Sequence, residues 1–302
     1  MGDPSGIGPE VLLKALAKNP GLLEECLILG DRFVIAKMSK ALGINLKLNL
    51  LDFSNAPHKG FAFGVEDPAY GRASFEYVEE AVKMLSRGRA RALVTAPVSK
   101  SAITSSGRRF TGHTEYLAKA AGAAKFAMMF VGGALKVTLV TRHISLADVP
   151  GAISIDGICD TIELTHEALK RDFRIRNPKI GVAGLNPHAG ESGVMGREEA
   201  KIITPAIKKA GRKIKNIIGP RPADVIFYEA RNNAFDAVVA MYHDQALAPF
   251  KALYFDCGVN MTLGLPFIRT SPDHGTAFEI AGRGIASARS MEEALKLAAR
   301  LA

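Results

Sequence analysis

Long apolar runs are what this chain of 302 residues most clearly lacks. None reaches the roughly 18 consecutive apolar residues that a membrane-spanning helix needs, so no span and no membrane partner are expected. The first residues carry no basic stretch followed by an apolar one, which argues against a secretory signal. Cysteine is scarce, and the three present, Cys26, Cys159 and Cys257, are not in CxxC spacing. That speaks against a disulfide framework and for buried thiols in a reducing compartment, the cytoplasm. A G-x-G-x-x-G turn after a strand is also missing, so the usual Rossmann route to a dinucleotide is not expected.

Charge leans to the basic side: 39 Lys and Arg against 30 Asp and Glu give a net charge of +9. Such surface either tracks nucleic-acid phosphates or belongs to an enzyme with anionic ligands and some solvated basic faces. The densest cluster, Lys208, Lys209, Arg212, Lys213 and Lys215, has no aromatic residues interleaved and falls on a surface helix. The enzyme reading is preferred, and no nucleic-acid partner is expected. Hydrophobic residues at 48% and charged residues at 23% are ordinary for a globular chain, and the length allows two α/β domains.

Residues 9–18 predict a helix, with Pro9 at the first helical position, where its missing N–H costs nothing. Residues 26–30 and 92–97 predict strands. Val78, Ala81, Val82 and Leu85 recur at helical spacing within 74–87, and Gly88 can close that helix. A further helix is expected from about Ile155, and Ser290 with Glu293 in capping-box spacing predicts a terminal one. Strands alternating with helices imply an α/β protein built on parallel sheets. The expected division is residues 1–111 with 258–302 in one domain and 112–257 in the other.

Three apolar runs each end in a histidine. LKVTLVT (135–141) precedes Arg142-His143, KIGVAGL (179–185) precedes Asn186-Pro187-His188, and DAVVAM (236–241) precedes Tyr242-His243. Short runs rich in Val and Ala read as strands buried on both faces, and ligands of parallel sheets sit beyond the carboxyl ends of the strands. Three imidazoles delivered there can converge on one divalent metal and leave a position open for substrate. Asp224 and Asp244 could orient a ligand histidine or balance the metal charge.

The remaining motifs each admit a plainer account. Gly2-Asp3-Pro4-Ser5-Gly6-Ile7-Gly8-Pro9-Glu10 puts glycines ahead of a helix, either to approach an anion or simply as a tight turn. Thr95-Ala96-Pro97-Val98-Ser99-Lys100 could hold a phosphate or carboxylate, or be a turn with a solvated lysine. His113 and Thr114 could donate to a substrate oxyanion or cap a helix. Lys251, Asn260 and Arg269 offer the charge and amide contacts of a phosphomonoester site, or an ordinary ion pair and a turn. Asp273-His274-Gly275-Thr276-Ala277 suits close approach of a nucleotide to backbone. His58 and His166 lack such company.

GDPSGIGPE, TAPVSK, FTGHTEYLA, NPHAGE, MYHDQ and GVNMTLGLPFIRTSPDHGTAFEIAG run in this order over nearly the whole chain. Together they resemble the 4-hydroxythreonine-4-phosphate dehydrogenase family of pyridoxal phosphate biosynthesis. The first and last also resemble the wider isocitrate and isopropylmalate dehydrogenase superfamily. The resemblance implies two α/β domains with the active site in the cleft, built across a homodimer. It implies a divalent metal (Zn, Mg, Co or Mn) on His143, His188 and the partner subunit's His243. It implies NAD or NADP over His274, Gly275, Thr276 and Ala277, and a phosphorylated substrate on His113, Thr114, Lys251, Asn260 and Arg269. Asp224, Asp244 and Lys251 are the candidate catalytic groups near the metal.

The implied reaction oxidises 4-hydroxythreonine 4-phosphate to a β-keto acid that decarboxylates to 3-amino-2-oxopropyl phosphate. A paralogous group acting on 4-phospho-threonate or 4-phospho-erythronate would use the same metal and phosphate contacts. A non-catalytic binder of a phospho-metabolite or of nucleic acid is the alternative of a different class. Two departures stand out: the chain starts at its first motif, where family members usually have a short strand before it, and Ala246 stands where glycine is common.

Overall fold

The computed structural model describes residues 1–302. Its contacts divide the chain into two units, Met1–Ala123 with Leu265–Ala302, and Ala124–Gly264. Strands are numbered in chain order.

In the first unit β1 (Ile28–Gly30) pairs in parallel with β2 (Leu50–Asp52), and β3 (Ala92–Val94) with β10 (Ile268–Pro272). The helix Gly8–Lys18 has its proline in the first turn and buries Val11, Leu12, Leu13, Ala15 and Leu16. The helix Pro68–Ser86 begins earlier than its apolar periodicity suggests. Asp67 caps it, accepting from the Ala69 N–H at 2.7 Å, and Pro68 occupies the first helical position. The terminal helix Arg289–Leu301 forms, but the expected capping box does not. Ala288 stands at its N-cap, and Ser290 Oγ accepts from the Asp273 N–H at 3.0 Å. A long-range partner has overridden the local cap.

The second unit holds six strands in the order β9-β4-β5-β8-β6-β7. They are β4 (Ala127–Gly132), β5 (Leu135–Leu139), β6 (Ile180–Ala183), β7 (Ile217–Arg221), β8 (Ala237–Ala240) and β9 (Val259–Leu263). Strands β5, β8, β6 and β7 run in parallel, as expected of Val- and Ala-rich strands. Strand β4 is antiparallel to both of its neighbours, so the sheet is mixed. Gly132 pairs with Leu135, which leaves a two-residue loop with Gly133 at φ +52°. So short a loop joins only antiparallel strands.

Strands β6 and β8 are buried throughout, and the helices Ile155–Arg171 and His243–Tyr254 pack on the sheet. Leu135, Val238 and Phe250 belong to the resulting core and are fully buried. Each such side chain contributes about 2 kcal/mol of transfer free energy, an upper value because unfolded chains already bury some apolar surface. Ala246 is part of the same core and is fully buried. The three cysteines are free thiols, Cys159 buried and the others half-buried. No helix is long and apolar enough to cross a membrane.

Candidate active site

Strands β5, β8 and β6 are parallel neighbours, so their carboxyl ends share one edge. His143 follows β5, His243 follows β8 and His188 follows β6, all within five residues of the strand ends. The His143 and His243 rings stand 5.5 Å apart, centroid to centroid. His243 opens the helix His243–Tyr254, and its Nδ1 lies 2.7 Å from Asp244 Oδ1. A carboxylate on Nδ1 leaves Nε2 to face a ligand, the arrangement common for metal-binding imidazoles. Two imidazole rings this close together are the kind of donors that a divalent cation such as zinc takes.

The expected triad does not close within one chain. No group of three His, Cys, Asp or Glu side chains gathers closely enough to hold an ion. His188 stands exposed in a loop of its own. The pair that does meet is His143 with His243 of the same chain, whereas the resemblance implied the partner subunit's His243 at that place.

The loop bearing His188 has an uncommon backbone. His188, Ala189, Gly190, Glu191 and Ser192 have φ of 55°, 53°, 81°, 40° and 56°, a left-handed turn. Left-handed conformation costs an L-residue about 1–2 kcal/mol, so the four non-glycine residues together cost roughly 4–8 kcal/mol. That is comparable to the whole stability of a typical domain, about 5–15 kcal/mol. Something must hold the turn, and the buried Glu199 does. Its Oε1 accepts from the N–H groups of Leu185 at 2.8 Å and Asn186 at 2.7 Å, and its Oε2 from Asn186 Nδ2 at 3.0 Å. Gly190 is required beside it, because a Cβ there would sit 2.6 Å from Glu199 Oε2.

In the first unit Arg269, on β10, is only 3% exposed and donates to Thr95 Oγ1 at 2.6 Å. Burial pushes its guanidinium down to about 10, with Glu115 opposing, so it stays cationic at neutral pH. His113 opens the helix His113–Ala120 behind Gly112, and its Nε2 is buried without a hydrogen-bond partner. Burial, and after it the nearby Arg269, holds the His113 imidazole well below 6.5. A neutral imidazole and a buried cation together suit an anionic ligand. Thr114 is buried beside them in sequence.

The His113 shift has a consequence for pH. Between its depressed folded value and 6.5, the unfolded chain binds the extra proton. Stability is therefore present above about pH 6.5 and is lost as pH falls below it. Urea titrations between about pH 5 and 7 should show this slope, and His113→Gln should flatten it. An unchanged slope in the variant would mean that His113 is solvated.

The loop His274–Ala277 follows β10. A Cβ added at Gly275 would meet nothing within 4 Å, and Ala277 takes φ +44°, so backbone faces open space there, as close approach of a dinucleotide requires. The first sequence motif braces this region. The Ile7 N–H donates to Thr276 O at 2.9 Å. Glu10, fully buried, accepts from Lys14 Nζ at 2.8 Å and from the N–H groups of Ala286 at 2.8 Å and Gly284 at 3.3 Å. Gly2 permits a close backbone crossing, since a Cβ there would lie 2.5 Å from Pro97 O.

The other expected residues of the second unit lie on three separate elements. Lys251 lies on the helix His243–Tyr254, two turns beyond Asp244. Asn260 is on β9, with a buried Oδ1 that has no hydrogen-bond partner. Asp224 is exposed in the first turn of the helix Ala223–Arg231. In the basic cluster, Lys209 pairs with Asp156 and Lys213 with Glu163. Sequence reasoning missed Glu10, Glu199 and Gln245. Local spacing carries no sign of their burial.

A family model described as pyridoxal phosphate biosynthetic protein PdxA matches residues 17–298. A protein named 4-hydroxythreonine-4-phosphate dehydrogenase from Desulfosudis oleivorans is 46% identical over 316 residues, covering 99% of this chain and 93% of its own. A protein from Oceanobacillus iheyensis, provisionally named D-threonate 4-phosphate dehydrogenase, is 41% identical over 322 residues, covering 100% and 96%. The crystal structure of a 4-hydroxythreonine-4-phosphate dehydrogenase from Klebsiella pneumoniae matches with a TM-score of 0.92 at 35% identity, covering 100% of this chain and 96% of that one.

Proposed function

This chain belongs to the PdxA family of pyridoxal phosphate biosynthetic proteins, and on that footing we propose that it oxidises 4-hydroxythreonine 4-phosphate. The alcohol carbon gives a hydride to NAD or NADP, its hydroxyl proton goes to a base, and the resulting β-keto acid loses carbon dioxide to give 3-amino-2-oxopropyl phosphate. The observation that carries this reading is the imidazole pair, 5.5 Å apart at the carboxyl edge of a parallel sheet segment.

His143, His188 and His243 are the donors for a divalent cation (Zn, Mg, Co or Mn). A cation held there supplies Lewis acidity that lowers the pKa of a substrate alcohol. Asp244 keeps the His243 ring in one tautomer, with Nε2 outward. Arg269, His113, Thr114, Lys251 and Asn260 fix the phosphorylated substrate, and such positioning can be worth several kcal/mol. Asp224, Asp244 and Lys251 are the candidates to receive the proton. His274, Gly275, Thr276 and Ala277 present backbone to the dinucleotide.

A homodimer with a shared site is the assembly the resemblance implies, and a His188 that stands apart from the His143–His243 pair supports a donor supplied by a second copy. Exposed Leu146 (68%) and Val194 (79%), close in sequence to the ligand loops, support a face that a second copy covers. The free thiols support a cytoplasmic location.

The relative named for D-threonate 4-phosphate favours keeping that substrate as a second reading. Steady-state rates on the two compounds decide between them. We expect kcat/KM to favour 4-hydroxythreonine 4-phosphate by more than about tenfold, the discrimination that one well-placed polar contact gives. The opposite order would assign the chain to the second reading, and no NAD(P) reduction with either compound would exclude both.

A further inference from the structure

One hydrogen-bonded path joins the three histidine-bearing strand ends, and it lies wholly within Ala124–Gly264. Thr141 Oγ1, two residues before His143, donates to Met241 O at 2.7 Å. The Met241 N–H, two residues before His243, donates to Gln245 Oε1 at 2.7 Å. Gln245 Nε2 donates to Gly184 O at 2.6 Å, and the next two peptide N–H groups, of Leu185 and Asn186, donate to Glu199 Oε1 at 2.8 and 2.7 Å. From there the chain enters the left-handed turn that carries His188. Gln245 and Glu199 are both buried.

Burying an amide and a carboxylate is costly unless each polar atom finds a partner. Here both ends of each side chain are engaged, and what they engage is backbone flanking the histidines. Gln245 bridges the ends of β8 and β6, which are neighbouring strands. Glu199 anchors the entry to a turn that its own residues disfavour.

We propose that Gln245 and Glu199 are positioning residues that set the place of His188 relative to the strand ends that carry His143 and His243. This rests on the reading of those three histidines as cation donors. Both side chains act through protein groups that flank the histidines. Gln245 fixes the spacing of the two strand ends, and Glu199 fixes the turn.

The test uses the full-length metal-free protein and Co(II), whose absorption spectrum reports donor number and geometry. Parent protein should bind Co(II), and His188→Ala should lose the parent spectrum. If the parent does not bind Co(II), or His188→Ala leaves the spectrum unchanged, the histidine reading fails and this proposal falls with it. Given parent binding, Glu199→Gln and Gln245→Met should each weaken Co(II) affinity about 10–100-fold, as loss of supporting contacts behind metal ligands does. Glu199→Gln should also speed amide exchange at Leu185 and Asn186 before any metal is added. Variants that melt earlier yet keep parent affinity and spectrum would overturn the proposal and leave these residues a structural role only.

A variant-free arm covers the case in which neither variant folds. Adding Co(II) to parent protein should slow exchange at Leu185 and Asn186 several-fold, because coupling between cation and turn is reciprocal. Unchanged exchange at both amides on Co(II) saturation would overturn the proposal equally.

Discussion

Replacing His243 with alanine is expected to abolish tight divalent-cation binding and to lower turnover by at least about 10³-fold. Loss of a contact behind a ligand costs about 10–100-fold in affinity, and loss of the ligand itself costs more. A Lewis acid at a developing alkoxide is worth several kcal/mol, and each 1.36 kcal/mol is a factor of ten in rate, so about 4 kcal/mol gives the stated drop. The fold should survive, because the His243 side chain is 37% exposed and its carboxylate partner on Asp244 is 84% exposed. Asp244→Asn should bind the cation with an affinity between those of parent and His243→Ala, since it leaves the ring in place and removes only the carboxylate that orients it. Metal content by atomic absorption and NAD(P)H formation by absorbance check both variants. If His243→Ala retained metal and rate, the imidazole pair would have no part in the chemistry.

Arg269→Met should raise KM for the phosphorylated substrate by about 10²-fold or more and leave KM for the nicotinamide cofactor unchanged. Charge-assisted hydrogen bonds contribute about 1.5–3 kcal/mol each, so two lost contacts account for that factor. The stability change should be small or even favourable. A guanidinium that is 3% exposed is expensive to desolvate, and an uncharged methionine relieves that cost, against the loss of partners that include Thr95 Oγ1. Binding and folding would thus respond in different directions, which separates a ligand-binding role from a packing one. Equal KM values for parent and variant would move the phosphate elsewhere.

Much of the second unit can be read from its letters. Strands β5, β6 and β8 announce themselves because strands covered on both faces are largely apolar, and each is followed within five residues by a histidine. The hairpin between β4 and β5 was equally visible in Gly132-Gly133, but an expectation of alternating strands and helices passes over it. The left-handed turn could not be read. Alanine, glutamate and serine do not favour positive φ, and Glu199 reaches the turn entry across more than ten residues. Ser290 illustrates the same limit: its spacing fits a cap, while its hydroxyl serves Asp273 instead. The role of Glu10, bonded to Gly284 and Ala286, likewise depends on contacts between opposite ends of the chain.

The turn at 188–192 is a mirror image of the one that natural residues prefer, so chirality itself works against the segment that presents His188. A semisynthetic chain with D-alanine at position 189 would relax what L-alanine must be forced into. Enantiomeric chemistry would suit this one stretch of backbone better than the ribosome's own.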